Sequence, residues 1–341
     1  MTIRYIFMGA AMATFVATGA FAQEVTLKLH QFLPAQANVP ALILDVWADN
    51  VERDSGGRIK VDRYPSMQLG GSPPELYDQA VDGIADVIWT AAGYTPGRFP
   101  RAEVFELPFI IRDARAGSYA LWSMYEEGLL DELSDTHLLG AYVHGPGVIH
   151  TADPVATPDD LAGMKIRGAS RQVNALLNQL GAEPVGMPAP GIPEALSKGV
   201  LDGTTLPWEV TTSLRIPELV EFHTEFTGPS LYTIAFFVTM NKAAYAALPD
   251  DLKTVIDDNS GLDFSVFAAS VVLEQDTIER QLAIDNGNEV LTLDAAQSAI
   301  WEGIAAPVRE AWLADMQTRG IDGQALIDRA EALMADYRGA N

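Results

Sequence analysis

Two stretches of this sequence follow one plan, and that duplication constrains the fold more than any single motif. In the first, the alternating run Arg58–Tyr64 leads to Pro74-Glu75, a helical stretch and Gly83-Ile84-Ala85-Asp86. In the second, Met164–Arg167 leads on to Pro193-Glu194, a helical stretch and Gly199-Val200-Leu201-Asp202. Strands alternating with helices build layered α/β units around a largely parallel sheet. Two such units predict two lobes, and open α/β sheets hold ligands at the carboxyl ends of their strands. A chain of 341 residues is long enough for both.

The flanking segments fit the same plan. Val25–His30 alternates as a strand, and Pro40 opens a helix with Leu44, Trp47, Ala48 and Val51 on one face. That helix stops at Gly56-Gly57, and Ala85 to Thr90 reads as a buried strand. In the second half Thr157-Pro158-Asp159-Asp160 is a helix start, and Val173, Leu176, Leu177 and Leu180 form a face closed by Gly181. Beyond Asn241 the pattern becomes helical. A helix starts at Leu248-Pro249-Asp250-Asp251, and longer ones cover Leu262 to Asn286, Ala295 to Thr318 and Gly323 to Tyr337. The long helices are expected to brace both lobes.

Charge and composition exclude several roles. With 46 acidic against 22 basic residues the net charge is −24, the opposite of what phosphate contacts or an anionic lipid surface require. No nucleic-acid or membrane-surface partner is expected. The absence of cysteine removes disulfides, thiolate metal sites and cysteine nucleophiles. At the amino terminus Arg4, an apolar run from Ile6 to about Gly19 and Ala20-Phe21-Ala22 have the parts of a secretory signal peptide. Cleavage after Ala22 is expected, giving an exported mature chain.

Local catalytic signatures are missing: no Gly-x-Ser-x-Gly elbow, no Walker A loop, no Gly-x-Gly-x-x-Gly after a strand. The five histidines, His30, His137, His144, His150 and His223, show no metal-ligand spacing. No metal or cofactor is expected. Strand ends offer binding chemistry instead. Arg167 closes a strand before Gly168 and reads equally as a surface arginine or as a planar fork aimed at a carboxylate. Trp208 and Glu209 follow the strand from Leu201, Trp89 and Thr90 end a strand of the first lobe with Tyr94 close behind, and Phe32, Gln36 and Asn38 follow the first strand. Each aromatic alone is explained by core packing; three strand ends that each carry one suit an organic ligand.

At this point the chain resembles a known family, the extracytoplasmic solute receptors of TRAP transporters of the DctP type. The matching segments run in order along the mature chain: GRIKVDRYPSMQLG, ELYDQAVDGIADV, ELPFIIRDA, TPDDLAGMKIRG, EALSKGVLDG and MNKAAYAALPDDL. The resemblance implies a two-lobed periplasmic-binding-protein-like α/β fold with crossing strands, a long hinge-spanning helix and C-terminal helices. It implies lobe I at 23–145 plus about 234–270, and lobe II at 146–233 plus about 271–341, after a signal peptide at 1–22. It also implies a periplasmic receptor without turnover that captures an organic acid anion and delivers it to membrane permease subunits. A monomer is expected, with a dimer left open.

The family's carboxylate-binding arginine falls on Arg167, and its pocket-lining segments fall on Asn38, Trp89 and Trp208. Closure would stack the organic body on Trp208 and Trp89, beside Phe32 and Tyr94, with further hydrogen bonds from Asn38, Gln68, His150 or Glu209. Two departures bear on the ligand. The stretch from His144 to His150 lacks the second arginine of sialic-acid receptors, and Trp208 precedes Glu209, the reverse of the order in 2-oxo-acid receptors. One arginine among aromatics favours a monocarboxylate with an apolar or aromatic body. The alternatives are C4-dicarboxylate or sugar-acid specificity, delivery to a sensor kinase, or a secreted hydrolase or lyase with two cleft carboxylates.

Overall fold

A computed structural model describes residues 23–338. The signal peptide expected over residues 1–22 lies outside the described residues. In chain order the first lobe supplies β1 (Val25–His30), α1 (Asp45–Asp54), β2 (Ile59–Tyr64), α2 (Leu76–Val81), β3 (Val87–Ala91), α3 (Ala114–Glu126) and β4 (His137–Val143). The second supplies β5 (Val148–Thr151), β6 (Lys165–Gly168), α4 (Arg171–Gln179), β7 (Glu183–Gly186), α5 (Ile192–Ser197), β8 (Gly203–Leu206), α6 (Ile216–Leu219) and β9 (Phe222–Phe226). The chain then returns through β10 (Ala235–Met240), α7 (Lys242–Ala247), α8 (Asp250–Asp258), α9 (Gly261–Asp285), β11 (Glu289–Leu293), α10 (Ala295–Thr318) and α11 (Gly323–Asp336).

The strands form two sheets, ordered β2-β1-β3-β10-β4 and β11-β9-β5-β8-β6-β7. Both are mixed rather than largely parallel. The repeated units pair in parallel, β1 with β2 and β3, and β6 with β7 and β8. The strands that cross between lobes enter from the opposite end: β10 runs antiparallel to β3 and β4, and β5 runs antiparallel to β8 and β9. A periodicity reading treats each half separately and does not see these crossings.

Helix α9, 25 residues or about 37 Å long, joins the lobes. Its front half packs on the first lobe, where Ser265 Oγ accepts from the Ala141 N–H at 2.9 Å and the Phe264 ring leaves no room for a Cβ at Gly140. Its rear half faces the second lobe, where Asp276 Oδ1 accepts from the Glu209 N–H at 2.8 Å and Arg280 pairs with Glu225 at 2.8 Å. Its start, like those of α10 and α11, falls within a residue of the expected one.

The segment expected to complete the second lobe does not do so throughout. Helix α11 puts Leu326, Ile327, Ala330 and Leu333 into one core with Leu121, Trp122 and Met124 of α3. Residues 323–336 therefore sit on the first lobe, because their apolar stripe matches α3. Helix α3 itself has no counterpart in the sequence reading. Ahead of Leu121, Trp122 and Met124 its buried residues are Ala114, Ala116, Gly117, Ser118 and Ala120, small side chains that give little hydropathy contrast.

Candidate functional site

The ends of β1, β3, β6 and β8 meet between the lobes and enclose a flat slot. Its cavity volume is only about 40 Å³, so the slot is thin. One wall is an aromatic column. Phe32 stacks on Trp89 at 4.4 Å and 13°, Trp89 on Phe236 at 5.1 Å and 14°, and Phe236 on Tyr142 at 5.4 Å and 18°. The Trp89 indole N–H donates to the Tyr142 hydroxyl at 3.0 Å, which fixes the column's orientation. Leu206, Pro207 and Val210 of the second lobe close the other side.

Arg167 lies in this slot and is 1% exposed. Its Nε donates to the Met187 carbonyl at 2.8 Å and its Nη1 to the Thr205 carbonyl at 3.0 Å. Those bonds leave Nη2 and the second proton of Nη1, the end-on pair of the guanidinium fork. Among the described residues no carboxylate comes within ion-pairing distance of it. A buried cation without a counter-charge is costly, and an anion bound by the end of the fork offsets that cost.

Polar groups ring the arginine. Tyr94 accepts from the Ala189 N–H at 2.9 Å, a bond from the second lobe to the first, and burial raises its phenol pKa. The Tyr232 hydroxyl has no hydrogen-bond partner. His144 bonds through Nδ1 to the Gly145 carbonyl at 2.5 Å, and burial, with Arg167 nearby, holds it neutral with a pKa of about 4. Glu209 is 5% exposed, with Oε2 unpartnered, and burial beside Asp276 and Glu279 pushes its pKa well up.

The structure thus brings Phe32, Trp89, Tyr94, Arg167 and Glu209 together around one space. Four other anticipated residues lie elsewhere. Trp208 is turned behind the wall, edge-on to His150 at 5.2 Å and 85°, with its indole N–H donating to Glu225 at 3.3 Å. The short helical turn Trp208–Val210 presents Glu209 to the slot and so rotates its neighbour away. His150 is buried further back, bonded to His223 at 2.7 Å and to the Leu206 carbonyl at 3.1 Å. Asn38 is a strut between lobes, its Nδ2 donating to the Glu209 carbonyl at 2.6 Å and to Glu279 at 3.0 Å. Gln68 is exposed on the turn after β2.

Sequence reasoning missed Tyr232, which lies just before β10, and Phe236 on β10 itself, and it considered His144 only for metal-ligand spacing. A larger open groove beside Phe109, Arg112 and Arg309 lies away from the strand ends, and its arginines are balanced by Asp113, Glu302 and Glu331.

Residues 34–315 match the model of DctP, bacterial extracellular solute-binding protein family 7. A TRAP solute binding protein from Rhodoferax ferrireducens T118, solved with copurified benzoate, is 50% identical, covers 91% of this chain and 97% of its own, and superposes with a TM-score of 0.89. A marine-metagenome TRAP solute binding protein specific for aromatic acid ligands, solved with 3-hydroxybenzoate, is 42% identical over 93% of this chain and 100% of its own, with a TM-score of 0.91. The C4-dicarboxylate-binding periplasmic protein DctP of Rhodobacter capsulatus is 26% identical over 76% of this chain and 78% of its own.

Proposed function

Because this chain belongs to the DctP family of bacterial extracellular solute-binding proteins, the solute receptors of TRAP transporters, we propose that it captures an aromatic monocarboxylate between its lobes. The observation that carries this reading is Arg167, a buried guanidinium with no counter-anion, set against a thin aromatic slot. The carboxylate takes the free end of the fork, and the ring slides along the column of Phe32, Trp89 and Phe236. The relatives solved with benzoate and 3-hydroxybenzoate support the same ligand class.

Capture couples to closure. The first lobe brings Phe32, Trp89 and Tyr94, and the second brings Arg167 and Glu209, so an open form holds only half of the site. We place the hinge in α9 and in the segments entering β5 and β10, with α11 riding on the first lobe. Its partners are the organic acid and the membrane permease subunits, and its compartment is the periplasm, which the periplasmic DctP relative supports. The receptor releases the acid unchanged. A second carboxylate would meet no second arginine in the lining, and a sugar acid would set hydroxyls all round its ring against the stacked aromatic column, which disfavours both.

Isothermal titration calorimetry with benzoate, cyclohexanecarboxylate, succinate and glucuronate tests the reading. Benzoate is expected to bind tightest and the puckered cyclohexane ring at least 10-fold more weakly. Arg167→Lys keeps the charge but loses the fork, and is expected to weaken benzoate roughly 100-fold. Tightest binding of succinate, or unchanged affinity in Arg167→Lys, overturns it.

A further inference from the structure

Resting on the aromatic-carboxylate reading, we infer that the bound acid carries a ring hydroxyl and that Glu209 is the residue that selects it. The inference comes from an inventory of the unpaired polar atoms in the slot. The donors are the free end of Arg167, the Tyr232 hydroxyl and the proton of the Tyr94 hydroxyl, whose oxygen accepts from Ala189. The acceptors are Glu209 Oε2 and His144 Nε2, both buried and both without a partner. His144 Nε2 is an acceptor because Nδ1 must carry the proton that meets the Gly145 carbonyl.

A bare carboxylate brings only acceptors, so it serves the donors and leaves both acceptors unmet. A buried polar atom without a partner is costly, and a site built around such atoms discriminates against ligands that leave them so. Glu209 is the better-placed of the two. Its N–H donates to Asp276 Oδ1 at 2.8 Å and its carbonyl accepts from Asn38 Nδ2 at 2.6 Å, which pins the backbone from both sides. Its carboxyl is not held for Arg167: no ion pair joins them, and its charged neighbours are Asp276 and Glu279. A hydroxyl satisfies Glu209 in either protonation state, donating its proton to the carboxylate or to the carbonyl oxygen of the acid. A bare ring edge or a methyl group does neither.

The test compares benzoate, 3-hydroxybenzoate, 4-hydroxybenzoate and the methyl ethers of both on the full mature chain by calorimetry. At least one hydroxybenzoate is expected to bind about 10–100-fold tighter than benzoate, the range for a hydrogen bond to a charged group. Its methyl ether, which keeps the oxygen and loses the proton, is expected to bind no better than benzoate. In Glu209→Leu, shown folded by its unfolding midpoint, the hydroxybenzoate-to-benzoate ratio is expected to fall below about 3. Hydroxybenzoates no tighter than benzoate, or an ether as tight as its parent phenol, overturn the inference without any variant. A ratio that survives in Glu209→Leu moves the selection to His144 and also overturns it. If no aromatic acid binds the wild-type chain, it is the proposed ligand class that fails.

Discussion

Buried histidines give this protein a sensitivity to acid that its carboxylates partly oppose. His150 and His223 meet Nδ1 to Nδ1 at 2.7 Å, a bond that needs one protonated and one bare nitrogen, so the accepting ring is neutral. Burial holds His223 and His144 at about 4, and the His223 ring together with burial holds His150 well below its usual value. Their folded values lie below the unfolded one of about 6.5, so their contribution is complete above pH 6.5 and is lost as pH falls toward 4. Glu106, raised to about 8 by burial and by Glu103, runs the other way: its contribution is complete below about 4.5 and lost as pH climbs toward 8. The unfolding midpoint is expected to drop between pH 6.5 and 4, and less steeply in His223→Gln. Parallel curves for the two proteins would absolve the histidine. At this scale the sequence locates a Cα at a strand end but not the direction of its side chain. Arg167 and Glu209 turn into the slot, whereas Trp208, one residue from Glu209, turns into the core behind it. Phe236 was hidden for a different reason, since its strand arrives from the other half of the chain.

Between elements, a polar cluster adjoining the slot bridges the two lobes. Arg171, the first residue of α4, makes a forked pair with Glu103 in the turn Ala102–Glu106 of the first lobe, and its Nη2 meets Asp315 of α10 at 2.7 Å. Gln172 adds a donor to Glu103 at 3.0 Å, and Ser170 sits so close to Gly93 that no Cβ fits there. Glu103 is 5% exposed, so the pair is sheltered on one side. Breaking such a pair acts chiefly on dissociation. Glu103→Gln is expected to speed ligand release in stopped-flow chase experiments by about 10-fold and to change association little. An unchanged release rate would remove the cluster from the closing device. Helix α9 was legible because its length is free of proline, and α10, despite Pro307, because its start is marked by the capping box of Asp294 and Gln297. The close packing of α3 on the sheet needs small side chains, and small side chains carry little signal. The docking of α11 on α3 is a tertiary choice between two available faces, which periodicity along one helix does not decide.

For the whole molecule the net charge of −24 means that the folded shape confines mutually repelling carboxylates. Screening relieves that repulsion. Raising sodium chloride from about 10 mM to about 500 mM, which shortens the Debye length from about 30 Å to a few ångströms, is expected to raise the unfolding midpoint. A midpoint that falls with salt would show that surface ion pairs such as Arg58 with Glu24, at 2.9 Å, outweigh the repulsion. Two lobes with ligand chemistry at their strand ends were readable from the repeated plan, because each half carries its own strand–helix rhythm. The exchange of strands between lobes was not readable from that rhythm, since nothing local distinguishes a strand that stays from one that crosses, and it was anticipated only through the family resemblance.

That exchange sets a schedule. Strand β10 lies between β3 and β4, so the first sheet has a gap at its centre until residues 235–240 exist. A nascent chain that has already made β1 to β4 carries two open edges facing an empty lane, and open edges accept any extended peptide. The second sheet waits longer still for its edge strand β11, and one face of α3 stays uncovered until the last helix arrives. Neither lobe can lock early. A polypeptide that must pass through a narrow channel before it folds gains from that delay, whereas one cut short before β10 is a ready substrate for aggregation or proteolysis.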